Sequence, residues 1–326
     1  MCGDTNIVSV TLLGRSTVYG SPAMRALMGR AQRIAQTSAS VLIIGETGSG
    51  KEHVARAVHH YSLRCHAPWV DINCGAVPEH LLESELFGHE KGAFSGAVGL
   101  KKGLVELAQG GTLFLDEVAE LDPKMQVKLL RVLDGTPYYR VGGISKVTPD
   151  VRVVAATNRN LEEMVEEGRF RSDLYHRLNQ VCIQVPPLRE RREDILALAE
   201  LFLGQLSPSA RLTEDAKVCL LRYAWPGNAR EIKNALTTAL VDCEADEIDV
   251  AYLPARISGS AEAPREAPIP ENLSDLERIG IMEALKKANG NQSRAAMMLG
   301  ISPRTLYRKL KTYREEGPNE KLSLVS

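Results

Sequence analysis

No run of apolar residues in the sequence approaches the ~18 that a membrane-spanning helix needs, and the first thirty residues carry Asp4, Arg15 and Arg25 where an export signal would have a long apolar core. A membrane protein and a secreted one are both disfavoured, and a soluble cytoplasmic protein is expected. None of the six cysteines (Cys2, Cys65, Cys74, Cys182, Cys219, Cys243) falls in a CxxC pair, which argues for reduced thiols rather than a disulfide frame or zinc site. A metal on Cys65, His66 and Cys74 is not favoured. Net charge is also missing, with 40 basic residues against 41 acidic, so any case for nucleic acid has to be local. What remains is an ordinary globular composition, 44% hydrophobic and 25% charged over 326 residues, enough for two or three domains with a real core. Residues 1–16 show no clear pattern, and no N-terminal sensory domain is expected.

The stretch around which the chain is organised is Gly45, Glu46, Thr47, Gly48, Ser49, Gly50, Lys51 and Glu52, reading GETGSGKE between the apolar run Val41–Ile44 and a helical pattern. Strand, glycine loop and helix in that order turn backbone N–H groups inward to cradle phosphates, with Lys51 reaching the β- and γ-phosphates. A nucleoside triphosphate such as ATP is the implied ligand. Glu52 stands where a Ser or Thr hydroxyl would meet Mg²⁺, so the metal has to lean on other groups. A glycine-rich turn that binds nothing is the alternative for the octapeptide alone.

Downstream, strand-like runs recur at Trp69–Ile72, Thr112–Leu115, Val151–Ala156 and Val181–Val185, with helical patterns near Met125–Leu133 and Leu161–Glu167. This alternation predicts an α/β fold with a parallel sheet and the nucleotide at the carboxyl ends of its strands. The run GTLFLDE ends one of those strands on two carboxylates. Asp116 is suited to hold Mg²⁺ and Glu117 to polarise the attacking water, the alternative being a solvated acidic turn.

Beyond Pro187 the pattern is helical and reads as a small lid, in which Asn228 of WPGNAREI is expected to cap a helix carrying Ile232, Leu236 and Leu240. The proline-bearing stretch ISGSAEAPREAPIPEN describes an extended linker. From Glu277 to Arg314 nine Lys or Arg stand against two Glu, a local footprint for DNA. Three helices fit there, one through Leu276, Ile279, Met282 and Leu285, a second from Gln292 to Leu299, and a third opened by Ser302 as cap and Pro303. Leu306 and Leu310 then face inward and Ser302, Arg304, Thr305, Tyr307, Arg308 and Lys311 are the candidate DNA contacts, Tyr307 shared between groove and core. A basic solvated helical hairpin without a DNA partner is the alternative. The expected boundaries are a short segment 1–16, an α/β subdomain 17–188, a helical lid 189–256, a linker 257–272, a helix-turn-helix domain 273–316 and a tail 317–326.

With these motifs in place, the chain resembles the bacterial enhancer-binding proteins, NtrC-like AAA+ activators of the sigma-54 form of RNA polymerase, over about residues 17–316. The most specific motif is GAFSGA, residues Gly92, Ala93, Phe94, Ser95, Gly96 and Ala97. A Phe flanked by small residues in a polar surround is hard to explain as core and suggests a mobile loop tip with a partner; in the family this loop grips sigma-54. The usual motif has Thr where this chain has Ser95. The resemblance further implies that Asn73 is a switch residue holding the catalytic glutamate, although a strand-end turn would also explain it. It implies that Thr157 and Asn158 are a first sensor of the γ-phosphate, that Arg171 and Arg177 are arginine fingers inserted into a neighbour's site, and that Arg230 is a second sensor.

Fingers acting in trans imply a homo-oligomeric ring, a hexamer in the family, bound to enhancer double-stranded DNA. The expected fold class is an AAA+ parallel-sheet ATPase with a helical lid and an all-α, Fis-type helix-turn-helix domain, without a receiver domain. Control is then expected from expression level, a separate inhibitor or co-activator protein, or a partner activator. Two other readings are a DNA-binding regulator working without sigma-54, which GAFSGA argues against, and a protein whose AAA+ module only oligomerises, against which Lys51, Asp116, Glu117, Arg171 and Arg177 stand together.

Overall fold

The structure is a computed structural model and describes residues 7–243, 246–259, Ile281, Ala284 and 292–315. Where the first residues offered no pattern, an antiparallel hairpin forms from β1 (Val8–Leu12) and β2 (Arg15–Tyr19). Its turn, Leu13–Gly14, has φ of 50° and 77°. Gly14 adopts that conformation freely, whereas Leu13 does so against the crowding of its Cβ, which is why no familiar turn dipeptide advertises the hairpin. Helix α1 (Pro22–Ala35) follows, with the Ser21 hydroxyl accepting from the Met24 amide at 3.3 Å and Pro22 in the first turn.

The α/β unit continues through β3 (Val41–Ile44), α2 (Lys51–His60), β4 (Trp69–Asn73), α3 (Glu79–Phe87), β5 (Gly88–His89), β6 (Lys101–Lys102) and α4 (Leu104–Leu107). Then come β7 (Thr112–Asp116), α5 (Pro123–Leu133), β8 (Tyr138–Tyr139), β9 (Lys146–Val147), β10 (Arg152–Thr157), α6 (Leu161–Glu166), α7 (Ser172–Leu178) and β11 (Val181–Gln184). Five of these strands form one parallel sheet in the order β11-β3-β10-β7-β4. The register pairs Ile44 with Thr157 and Asp116 with Asn73, so the carboxyl ends of four adjacent strands lie in one row.

Alternation along the strands divides the core. Leu42, Leu113, Leu115, Val153 and Ala155 pack on one face with side chains of α3, α5, α6 and α7. Val41, Ile43, Phe114, Val154 and Ala156 pack on the other with α1, α2 and the hairpin. Both faces are buried, which is why these strands read as continuous apolar runs.

The lid comprises α8 (Glu193–Leu206), β12 (Arg211–Leu212), α9 (Glu214–Arg222), α10 (Asn228–Asp242), β13 (Glu247–Ile248) and α11 (Ala255–Ser258). Its core surrounds the buried Trp225, whose indole N–H donates to the Leu220 carbonyl at 2.8 Å. Ile257, expected to open the linker, is buried in this core, so the lid's packing passes residue 256. Asn228 does not cap α10 as expected. Gly227 occupies the cap position, and Asn228 sits at φ 53° as the first helical residue with its side chain turned away from the helix.

Residues Glu262–Ser326 form a second compact unit. Its described helices are α12 (Gln292–Met298) and α13 (Pro303–Glu315), with Ile281, Ala284, Ala296 and Leu306 in a small core that Leu310 packs against. The expected first helix lies outside the described residues apart from Ile281 and Ala284. No helix among the described residues is long and apolar enough to cross a membrane.

Candidate functional site

The phosphate loop joins β3 to α2 at the row of strand ends. Gly48 and Gly50 take φ of 74° and 100°, a conformation that glycine reaches without penalty. Lys51 is buried, with Nζ donating to the carbonyls of Gly45 (2.9 Å) and Glu46 (3.3 Å) and lying 3.7 Å from Glu117 Oε1. Burial lowers the Lys51 pKa, opposed by Glu117 and Asp116. The Glu52 carboxylate is occupied by Arg56 (2.8 and 3.0 Å) and Arg15 (3.2 Å), which accounts for an acid at this point without assigning it a metal. The Ser49 hydroxyl is buried and has no hydrogen-bond partner.

At the end of β7, the Asp116 carboxylate accepts from the Glu117 amide and the Asn73 side chain, both at 3.1 Å. Burial first, and Glu117 second, raise the Asp116 pKa above the usual carboxylate range. Glu117 is held at φ 53°, in the left-handed region that a non-glycine residue enters at some cost. Its carboxylate is turned to Lys51 and to the Asn158 amide, 3.3 Å away. Asn73 therefore holds Asp116 in this structure and not the glutamate, contrary to expectation. Its Oδ1 accepts from the Gly75 and Ala76 amides, which fixes its Nδ2 toward the aspartate paired with it in register. Thr157 is buried, with its carbonyl accepting from the Gly45 amide at 3.2 Å, while Asn158 Nδ2 donates to Thr47 Oγ1 at 3.0 Å.

Arg171, at the N-cap of α7, and Arg177, within α7, are both exposed. Arg171 pairs with Asp173 (2.7 Å) and Arg177 with Asp134 (3.1 Å) and the Leu133 carbonyl. Arg230, on α10, is close enough to Lys51 to lower its pKa.

The GAFSGA segment lies between β5 and β6. Its backbone is cross-linked by Gly92 N–H to Ala97 C=O (2.9 Å) and Ala97 N–H to Phe94 C=O (3.0 Å), with φ of 82° at Gly92 and 111° at Gly96. Ala97 is buried, and Phe94 is 42% exposed with its ring edge-on to His89 at 5.0 Å. The segment is thus a hydrogen-bonded turn that presents an apolar ring to solvent.

In the helix-turn-helix unit, Ser302 Oγ accepts from the Thr305 amide at 3.1 Å and caps α13. Arg304, Tyr307 and Arg308 are exposed, Thr305 is half-buried and Leu306 is buried. Tyr307, expected to share groove and core, is 64% exposed. The Lys311 side chain lies outside the described residues.

The profile of the sigma-54 interaction domain matches residues 17–184, that of the AAA+ ATPase lid domain residues 189–269, and that of the Fis family of bacterial regulatory proteins residues 272–313. The chain belongs to the sigma-54 interaction family. It carries that family's AAA+ ATPase fold with a helical lid and a Fis-type helix-turn-helix. The chain is 46% identical to the Nif-specific regulatory protein of Azotobacter vinelandii over 300 residues, covering 90% of this chain and 58% of that protein. It is 48% identical to the transcriptional regulatory protein ZraR of Klebsiella oxytoca, covering 90% of this chain and 68% of that one. The crystal structure of NtrX from Brucella abortus in complex with ATP superposes with a TM-score of 0.67 at 38% identity, over 91% of this chain and 68% of that chain. A regulator working without sigma-54 is not favoured by these matches.

Within this sigma-54 interaction fold, several site residues escaped the sequence reading. Arg189 pairs with Glu46 (2.7 Å), Arg191 reaches the Ser49 carbonyl, and Asp194 is fully buried while accepting from the Gly20 and Ser21 amides (2.6 and 2.7 Å) and the Ser21 hydroxyl (2.8 Å). The hydrogen bonds from Arg189 first and Asn228 second lower the Glu46 pKa. In sequence these residues sit in RERRED, a charged run that reads as a solvated helix start.

Proposed function

We propose that this protein is a sigma-54-dependent transcriptional activator that binds enhancer DNA and hydrolyses ATP in a ring, a hexamer, to convert the closed RNA polymerase complex into an open one. The observation that carries the reading is the row of strand ends in which Lys51, Asp116, Glu117 and Asn158 converge on a glycine-rich phosphate loop.

In this reading Gly45, Glu46, Thr47, Gly48, Ser49, Gly50 and Glu52 form and support the cradle, and Lys51 binds the terminal phosphates. Glu117 accepts a proton from the attacking water; its carboxylate, 3.7 Å from Lys51, faces the place where a γ-phosphate would sit. Thr157 and Asn158 sense that phosphate, and Asn73 sets the orientation of Asp116. Hard oxygen ligands suit Mg²⁺; arginines engage Glu46 and Glu52, and the Glu117 carboxylate is turned to Lys51, whereas the Asp116 carboxylate accepts from the neutral Asn73 side chain and Glu117 amide, so Asp116 is assigned to it. Bound there, Mg²⁺ would neutralise phosphate charge. Arg171 and Arg177 reach the site of the next subunit and stabilise charge on the γ-phosphoryl, and Arg230 contributes from the lid. Gly92, Ala93, Phe94, Ser95, Gly96 and Ala97 contact sigma-54, and Ser302, Arg304, Thr305, Tyr307, Arg308 and Lys311 face DNA. Such a protein works in the cytoplasm.

The test is ATP turnover in mixed assemblies. Arg177→Ala and Lys51→Ala should each be nearly inactive, consistent with a finger worth roughly 10³- to 10⁵-fold in related phosphate-loop systems. Mixing them should restore turnover wherever an intact site meets an intact finger. Co-assembly without rescue would refute fingers acting in trans.

A further inference from the structure

Four consecutive residues of the phosphate loop are held by donors from the lid or the segment that enters it. The Glu46 carboxylate accepts both terminal nitrogens of Arg189 (2.9 and 2.7 Å) and Asn228 Nδ2 (3.1 Å). The same Asn228 Nδ2 donates to the Thr47 carbonyl (3.1 Å), the Ala229 amide donates to the Gly48 carbonyl (3.1 Å), and the buried Arg191 guanidinium donates to the Ser49 carbonyl. A trans peptide directs its C=O and the following N–H to opposite sides. Holding the carbonyls of Thr47 and Ser49 from the lid therefore sets the direction of the Gly48 and Gly50 amides, the groups a phosphate would meet.

Asn228 is the centre of this arrangement. It is fully buried, and its Oδ1 accepts from the Leu188 amide at 2.7 Å, so one side chain ties the lid entrance, the loop and the start of α10 together. Its φ of 53° suits Asn better than most residues. The fit is close for a second reason: a Cβ on Gly48 would stand 2.5 Å from the Gly227 carbonyl.

We infer that Asn228, with Arg191 at the other end of the loop, is a positioning residue for nucleotide binding, through which the lid holds the loop in its phosphate-binding shape. This inference rests on the reading of the loop as an ATP site. It also gives the lid a mechanical connection to the loop that does not pass through Arg230.

The experiment measures ATP affinity by calorimetry with Mg²⁺, steady-state turnover, and thermal unfolding without nucleotide. Asn228→Asp keeps the shape and the acceptor for Leu188 while replacing both donors by an acceptor. Asn228→Gly keeps the backbone conformation and removes the side chain. Asn228→Asp sets a buried carboxylate against Glu46 and the Thr47 carbonyl and should unfold earlier than wild type; beyond that it should bind ATP about tenfold or more weakly and raise KM in proportion with kcat little changed, the pattern of lost ground-state binding. Asn228→Gly should share that loss and likewise unfold earlier. A purely structural residue would instead lower the unfolding temperature without separating KM from kcat.

Wild-type ATP affinity in Asn228→Asp overturns the inference. Should that variant not fold, Arg189→Gln at the exposed end of the arrangement decides, with severalfold weaker binding expected and unchanged binding contradicting it. Lys51→Ala supplies the loss-of-site reference. Wild-type protein that binds no ATP would refute the reading of the loop, whereas wild type and Asn228→Asp binding it equally would refute this inference alone.

Discussion

Replacing Gly48 by alanine should unseat the lid. Two separate costs apply. Gly48 has φ 74°, where an L-residue is disfavoured by about 1–2 kcal/mol. The new methyl would also lie 2.5 Å from the Gly227 carbonyl and 3.0 Å from Arg230 Cβ. The first of these atoms is backbone and cannot swing aside, so relief requires the start of α10 to move, at the roughly 1–3 kcal/mol of an overpacked site. A total loss of about 2–5 kcal/mol follows by addition of these two ranges, read as a shift in the denaturant midpoint at constant slope. Gly168→Ala is the control, because Gly168 has φ 70° with nothing within 4 Å of a Cβ and should show the conformational cost alone. ATP affinity should fall in Gly48→Ala and stay unchanged in Gly168→Ala. Equal stability loss in the two variants would refute the argument that the lid sits directly on the loop.

Two further outcomes concern the buried and exposed ends of the same contact. Asp194→Ala should cost about 3–5 kcal/mol in chemical unfolding, because it takes the carboxylate away from the buried Arg191 and strands three donors around Gly20 and Ser21; a loss under about 1 kcal/mol would contradict that role. Glu46 has a depressed pKa, so its contribution is present above the ordinary glutamate range and is lost as pH falls through the lower folded value. Wild type should exceed Glu46→Gln by less than about 1 kcal/mol near neutrality, since the pair is partly exposed, with the gap closing below about pH 4. A gap that widens in acid would contradict the sign.

The parallel sheet was legible because its strands are buried on both faces and read as apolar runs ending in Gly45, Asp116 and Thr157, residues that name their own position at the strand ends. The cap at Ser302 was legible for the same reason, since a hydroxyl before Pro303 acts locally. Contacts between distant segments were not. Asn228 reads as a helix cap by type, yet a left-handed backbone carries its amide to a loop 181 residues away. Asn73 was placed by resemblance on the glutamate, and only the register of β4 with β7 shows that its neighbour is Asp116. Asp194 illustrates the limit most sharply: a carboxylate in a charged run is expected in water, and no local pattern announces that Gly20 and Ser21 will close over it. The hairpin at Val8–Tyr19 was hidden by Leu13, a residue that turn rules do not place at positive φ.

The central claim, that ATP hydrolysis is coupled to sigma-54 through the exposed ring of Phe94, is tested most directly by open-complex formation on a sigma-54 promoter with purified polymerase, enhancer DNA, ATP and either wild type or Phe94→Ala. The ring contacts His89 but none of Lys51, Asp116 or Glu117, so the variant should hydrolyse ATP at the wild-type rate. Opening by wild type, with none by Phe94→Ala at equal ATP turnover, is the predicted result. Full opening by Phe94→Ala, or no opening by wild type while ATP is consumed, would contradict it.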